Sequence, residues 1–179
     1  FLAPPVAFSI PGGVFTNDFI SVALTSPISN AVIHYTLNGT TPTEESTTYT
    51  NTPIQTSNSV RIVAIAWAVG YVPSKPVSEG YTLLDRNALS FSSGLPLVIV
   101  DTFNATIVQD MNPKSPANIT IIDTAQPAGR ATLTGIPDVH RRIGIEGRGQ
   151  TSWGFNKKPM NIEFVDDYDQ GQNASFLNF

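Results

Sequence analysis

A glycine-rich stretch carrying two adjacent lysines, GIEGRGQTSWGFNKKPMNIEF from Gly144 to Phe164, holds the residues best placed to do chemistry. Gly147, Gly149 and Gly154 let the backbone turn sharply or approach a ligand closely. Lys157 and Lys158 follow at once and offer positive charge to an anionic group. Short apolar alternations flank the stretch, so the order is strand, Gly-rich loop, basic anchor, strand. A kinase covers nucleotide phosphates with that order of parts. Spacing alone is not specific, because G-x-x-x-x-G-K-[ST] is absent and the glycines fall out of register with G-x-G-x-x-G. By turn logic the ordinary description is a Gly-rich β-turn with solvated lysines.

Other reactive side chains are scattered. His34 and His140 are the only histidines, and neither has another metal-ligating residue type at ligand spacing. No G-x-S-x-G elbow marks a nucleophilic serine. The run Asp166, Asp167, Asp169, Gly171, Asn173 puts oxygens at nearly alternate positions but has no glutamate to close an EF-hand loop. A solvated hairpin turn is the expectation there. Arg142, Glu146 and Arg148 alternate onto one strand face, which predicts an Arg142–Glu146 pair. Trp153 is expected to pack on Phe155 or Pro159. Trp67 shares a face with Val63 and Ile65, which predicts a core position. On an outer face, with Tyr71 nearby, it would instead suit stacking on a sugar ring.

Composition narrows the setting. Charged residues are 13% of the 179, against roughly a quarter in an ordinary soluble domain. Thr, Ser, Asn, Gly and Pro take their place, as in extracellular β-proteins. A net charge of -4 and a pI near 5.0 argue against a nucleic-acid partner. With no cysteine there are no disulfides and no thiol chemistry. No apolar run is long enough to span a bilayer. The opening residue, Phe1, fits either removal of a signal peptide or trimming of a longer chain. Asn38, Asn104, Asn118 and Asn173 each begin an N-x-[ST] sequon and are candidate glycosylation sites.

The elements that must position these residues read as strands throughout. Val6–Ile10, Phe19–Thr25, Ala31–Leu37, Val60–Ala68 and Gly80–Leu84 form a first group. Leu95–Asp101, Ile119–Ile122, Arg130–Leu133, Arg142–Glu146 and Met160–Val165 form a second. All are short, β-branched and bounded by turn residues, which predicts an all-β chain: an Ig-like β-sandwich, then a mostly antiparallel β-domain. The pattern lapses in DRNALSFSSG, so the expected domains are 1–84 and 94–179 with a short linker over 85–93. Leu84–Leu89 could form one helical turn. Asn38-Gly39 is a turn dipeptide that accepts positive φ, and Pro42 fixes the exit from its strand.

Two resemblances add to this reading. RGQTSWGFNKKPMNIEF resembles the signature of CotH-like (spore-coat protein H-like) proteins through Arg148, Gly149, Thr151, Ser152, Phe155, Lys157, Lys158 and Ile162. GLPLVIVDTF and NITIIDT look like that family's opening strands, so the resemblance spans about 94–179. Its members are atypical protein kinases. The resemblance implies nucleotide binding by Arg148, Gly149, Ser152 and Lys157 or Lys158, with ATP and Mg²⁺ bound only by a complete domain. It implies no catalytic residue and no metal ligand within these 179 residues. Residues 4–83 are similar to the Ig-like domain at the C-terminus of chitobiases and β-hexosaminidases, through Gly12, Gly13, Phe15 and the run Tyr35–Thr43. Asn38 stands where many members have Asp.

The combined expectation is the non-catalytic front of a secreted or cell-surface CotH-like protein, its Ig-like domain a spacer or binding module. The competing expectation is a structural or adhesive surface protein whose partners are other surface proteins or glycans.

Overall fold

The computed structural model describes residues 1–110, 113–125 and 129–173. The chain is nearly all β and divides into two compact units, Phe1–Asp85 and Arg86–Phe179.

In the first unit the strands are β1 (Ala7–Phe8), β2 (Gly13–Phe15), β3 (Ile20–Val22), β4 (Leu24–Thr25), β5 (Val32–Thr36), β6 (Thr47–Thr48), β7 (Ile54–Thr56), β8 (Val60–Trp67) and β9 (Val77–Leu83). One sheet runs β2-β9-β8-β5-β6, antiparallel except for the parallel β2–β9 pair. The small pairs β1–β4 and β3–β7 supply Ile20, Val22, Leu24 and Ile54 to a shared core with Ile33, Ile62, Ala64, Ala66 and Tyr81. Apolar side chains from both sets fill one interior, as a β-sandwich requires.

β8 lies between β9 and β5 and is buried along its length except at Trp67. The core side of β8 is Ile62, Ala64 and Ala66, so the expectation that Trp67 enters the core is corrected. Trp67 is half-buried on the opposite face, with its ring edge-on to His34 at 5.1 Å. His34 in turn bonds the Ser46 carbonyl through Nδ1, at 2.8 Å. Tyr81 is fully buried and donates its hydroxyl to the Ile10 carbonyl. Burial, and then the charge of Glu79, push its phenol well above the usual range.

The Asn38-Gly39 turn has the positive φ expected of it: Gly39 sits at φ +79°. A second constraint lies behind it. Arg61, only 2% exposed, donates to the Gly39 carbonyl, and a Cβ on Gly39 would stand 2.2 Å from the guanidinium. The glycine therefore serves both the turn and the room for a buried cation.

In the second unit a 3-10 turn (Arg86–Ala88) leads to β10 (Ser92–Ser93), β11 (Leu97–Asp101), β12 (Ser115–Ile122), β13 (Ala131–Thr132), β14 (Val139–Gly147), a second 3-10 turn (Ser152–Gly154) and β15 (Met160–Phe164). Residues 85–93, expected as a linker, thus hold a helical turn and a strand that pairs with β13. The main sheet runs β11-β12-β14-β15, all antiparallel. Its register puts Ala117, Ile119 and Ile121 on the same face as Val139, Ile143 and Ile145, and these form the core with Ile107 and Phe164. The other face mixes polar residues with Ile122, Leu97 and Ile99 and is largely covered on β12. Asn118 and Thr120 are 3% and 2% exposed, and Thr120 Oγ1 lies 2.8 Å from His140 Nδ1.

Candidate functional site

The Gly-rich residues lie in the hairpin that joins β14 to β15, and main-chain bonds brace it at its root. Gly147 donates to the Val108 carbonyl (2.9 Å) and accepts from Asp110 N–H (3.0 Å). Arg148 N–H donates to the Pro159 carbonyl (3.1 Å), closing the loop's base. The Gly149 carbonyl accepts from Trp153 N–H and from Gln109 Nε2. Gly149 has φ +85°, a conformation that favours glycine. Gln109 and its neighbours were not singled out from sequence. They act across some forty residues, and no local spacing marks such a partner.

Trp153 rests on Gly147. Its ring covers Gly147 so closely that a Cβ there would sit 2.1 Å from a ring carbon, while Phe155 stays 61% exposed. Lys158 is folded over the same ring, its Nζ 4.5 Å from the ring centre and donating to the Trp153 carbonyl at 2.6 Å. That combination is a cation–π contact plus a charge-assisted hydrogen bond. Lys158 thus closes the loop on itself. Arg148 and Lys157 differ: both are exposed and make no ion pair among the described residues. Ser152 is half-buried, with its hydroxyl against Gly149, where a Cβ would be 2.2 Å away.

The acidic run forms a turn bonded to the sheet. Asp166 Oδ1 accepts from Tyr168 N–H (2.8 Å) and Gln170 N–H (3.0 Å), and Val165 bridges Gly171. Those bonds, first from Gln170 and then from Tyr168, hold the Asp166 carboxyl below the usual carboxylate range. Arg142, 8% exposed, donates to Asp167 at 3.1 Å and to Asp169 at 2.5 Å. The predicted Arg142–Glu146 pair is therefore corrected. Glu146 instead accepts from Asn161 Nδ2 (2.8 Å) and faces Lys114, which also bonds Glu163 at 2.8 Å. Lys114, Pro116, Gly144, Glu163 and Asp169 line a cavity of about 290 Å³. Among the described residues no three His, Cys, Asp or Glu side chains gather as a metal site.

The sequons separate by burial. Asn38 is exposed and its Oδ1 holds the Thr40 N–H and hydroxyl. Asn104 and Asn173 are exposed, although the sequon of Asn173 runs into positions outside the described residues. Asn118 lies within β12 between Asp101 and Arg142, 3% exposed. A folded strand does not present its amide, so the sequence expectation at Asn118 is withdrawn.

Residues 10–78 match the family model of the chitobiase/beta-hexosaminidase C-terminal domain. The match takes in β2 to β8 and includes Gly39 and Trp67. It stops short of residues 94–179, where the CotH resemblance rests only on the residues quoted above. No curated protein and no solved structure matches the chain. No helix among the described residues is long and apolar enough to cross a membrane.

Proposed function

We propose that the chain is the non-catalytic front of a secreted or cell-surface CotH-like protein. In this reading the first unit is a spacer or binding module. The second contributes the hairpin that covers the phosphates of a nucleotide. One observation carries the proposal: on a loop braced by Trp153 and Lys158, Arg148 and Lys157 remain exposed. Two exposed cations without ion pairs on a loop braced through its main chain suit a polyphosphate, because each can make a charge-assisted hydrogen bond to it.

The fit to ATP is at the loop's outer rim. The Trp153 ring occupies the space beside Gly147, so phosphate oxygens would meet Arg148 and Lys157 there. Bound Mg²⁺ would neutralise phosphate charge. Its ligands would come from outside these residues, since Asp167 and Asp169 are already held by Arg142. Lys158 braces the loop, which favours Lys157 over Lys158 as the residue that meets phosphate in this reading.

The test is calorimetric titration of Mg-ATP into a chain extended past Phe179. Arg148→Ala and Lys157→Ala should each weaken binding by roughly ten- to a hundredfold, the loss of a charge-assisted contact of about 1.5–3 kcal/mol. Lys158→Ala should loosen Trp153 and act through loop order. Equal affinity of wild type, Arg148→Ala and Lys157→Ala would leave the hairpin as a structural turn.

The second reading is an adhesive surface protein that binds glycans or other surface proteins, with Asn38 and Asn104 as the glycosylated positions. The exposed side chains of Val69, Tyr71 and Val72, close in sequence to half-buried Trp67, support it. A glycan array separates the two readings, because this one requires binding that Tyr71→Ala abolishes.

A further inference from the structure

Asn38-Gly39 is the one Asn-Gly pair in the chain, and we propose that the fold makes it a self-modifying site, where Asn38 becomes aspartate or isoaspartate. In the reaction the Gly39 nitrogen bonds the side-chain carbonyl carbon of Asn38. The proton of that nitrogen passes through water to the side-chain amide, whose C–N bond breaks. Ammonia leaves, and a cyclic imide remains. Water then adds to either imide carbonyl and opens the ring, giving aspartate or the isomer whose main chain runs through the side-chain carbon. Water is taken up, ammonia is released, and nothing is oxidised or reduced.

The nucleophile is helped first. An amide nitrogen attacks once it has lost its proton, and a nearby cation favours that loss. The Arg61 guanidinium, 2% exposed, stands 2.2 Å from where a Cβ on Gly39 would be, and its Nη2 donates to the Gly39 carbonyl at 3.1 Å. Burial keeps water from screening that charge. Glycine also leaves no side chain to crowd the approach. Every other asparagine in the sequence is followed by a residue that has a Cβ.

The electrophile is helped as well. Negative charge develops on Asn38 Oδ1 as its carbon becomes tetrahedral. Two donors are already aimed at that oxygen, the Thr40 N–H at 3.1 Å and the Thr40 hydroxyl at 2.7 Å. Donors placed in this way stabilise an oxyanion. The Gly39–Thr40 peptide couples the two effects, because Arg61 polarises its carbonyl and so strengthens its N–H as a donor. Asn38 is exposed and borders a shallow groove of about 540 Å³ with Tyr35, Leu37 and Glu45, so water reaches the imide. The product carries a negative charge one residue from a carbonyl held by a buried cation. None of this rests on either reading of function, although a glycan on Asn38 would block the reaction by occupying the leaving nitrogen.

The test follows the unglycosylated chain by peptide mass mapping over weeks at neutral pH, with isoaspartate detected enzymatically. Folded wild type should gain the mass of OH in place of NH₂ at Asn38, severalfold faster than the same chain unfolded in guanidinium chloride. Thr40→Val should slow the folded chain severalfold and leave the unfolded rate unchanged. Thr40→Ser, which keeps the hydroxyl donor, should react as wild type does and guards against simple misfolding. A folded chain that converts more slowly than the unfolded one overturns the proposal. So does a folded Thr40→Val variant that reacts as fast as wild type, or conversion of other asparagines ahead of Asn38.

Discussion

Gly39 and Gly149 make a natural pair for comparison. Each follows a strand, each has positive φ, and each lies near an arginine in sequence or in space. Around Gly39 the cation is Arg61, buried at 2% exposure and bonded to the glycine's own carbonyl. Around Gly149 the cations are Arg148, exposed beside it, and Lys157 further along the same loop. The same turn signal thus serves packing in one unit and leaves charge available in the other. What separates them is where the cation's hydrogen bonds go, and backbone conformation alone does not reveal it.

Breaking the buried side of this comparison should have the largest effect. Gly39→Val sets left-handed strain of about 1–2 kcal/mol beside a collision with Arg61 worth about 1–3 kcal/mol. Thermal unfolding of the first unit should therefore drop by roughly ten degrees or more. An unchanged melting temperature would mean that Arg61 is not packed there.

Gly147→Ala tests the brace of the exposed loop. The new methyl must displace Trp153, at about 1–3 kcal/mol. The expected reading is a shift in tryptophan fluorescence with loss of the Lys158 contact, while β12 keeps its exchange protection. Unaltered fluorescence would show that the ring does not rest on Gly147.

Arg142→Met removes the ion pairs to Asp167 and Asp169 but keeps much of the buried stem. Both carboxylates are more than a third exposed, so screening leaves about 1 kcal/mol. Exchange in residues 165–171 should quicken first. No change in that hairpin would contradict its attachment to the sheet.

The smallest effect concerns pH. Asp166 has a lowered folded pKa, so its contribution is present above the unfolded value and is lost as pH falls through the folded one. The amide shifts of Tyr168 and Gln170 should therefore titrate below the ordinary aspartate range. A midpoint at the ordinary value would mean that the two backbone bonds do not persist in solution.

How far the sequence reached depends on the range of the interaction. β5 and β8 were legible because alternating apolar residues write a sheet face directly into the chain. The Gly39 turn was legible because Asn-Gly has few other uses. Gly13–Phe15 and Thr47–Thr48 were not, since strands of two or three residues carry too little period to notice. Trp67 was assigned to the core because a single strand cannot say which of two buried faces is the interior. Arg142 was given the nearest carboxylate on its own strand, whereas the fold brings Asp167 and Asp169 from a later turn. Lys157 and Lys158 were indistinguishable until the Trp153 ring claimed one of them.

The central claim is that Arg148 and Lys157 form a seat for polyphosphate on the β14–β15 hairpin. Amide and side-chain NMR shifts of the ¹⁵N-labelled chain during titration with tripolyphosphate test it most directly, because weak binding still registers. The account predicts saturable shifts confined to residues 148–158, lost in Arg148→Ala with Lys157→Ala and kept in a variant altered only at Tyr71. No shifts in that loop, or equal shifts in the double variant, would contradict it.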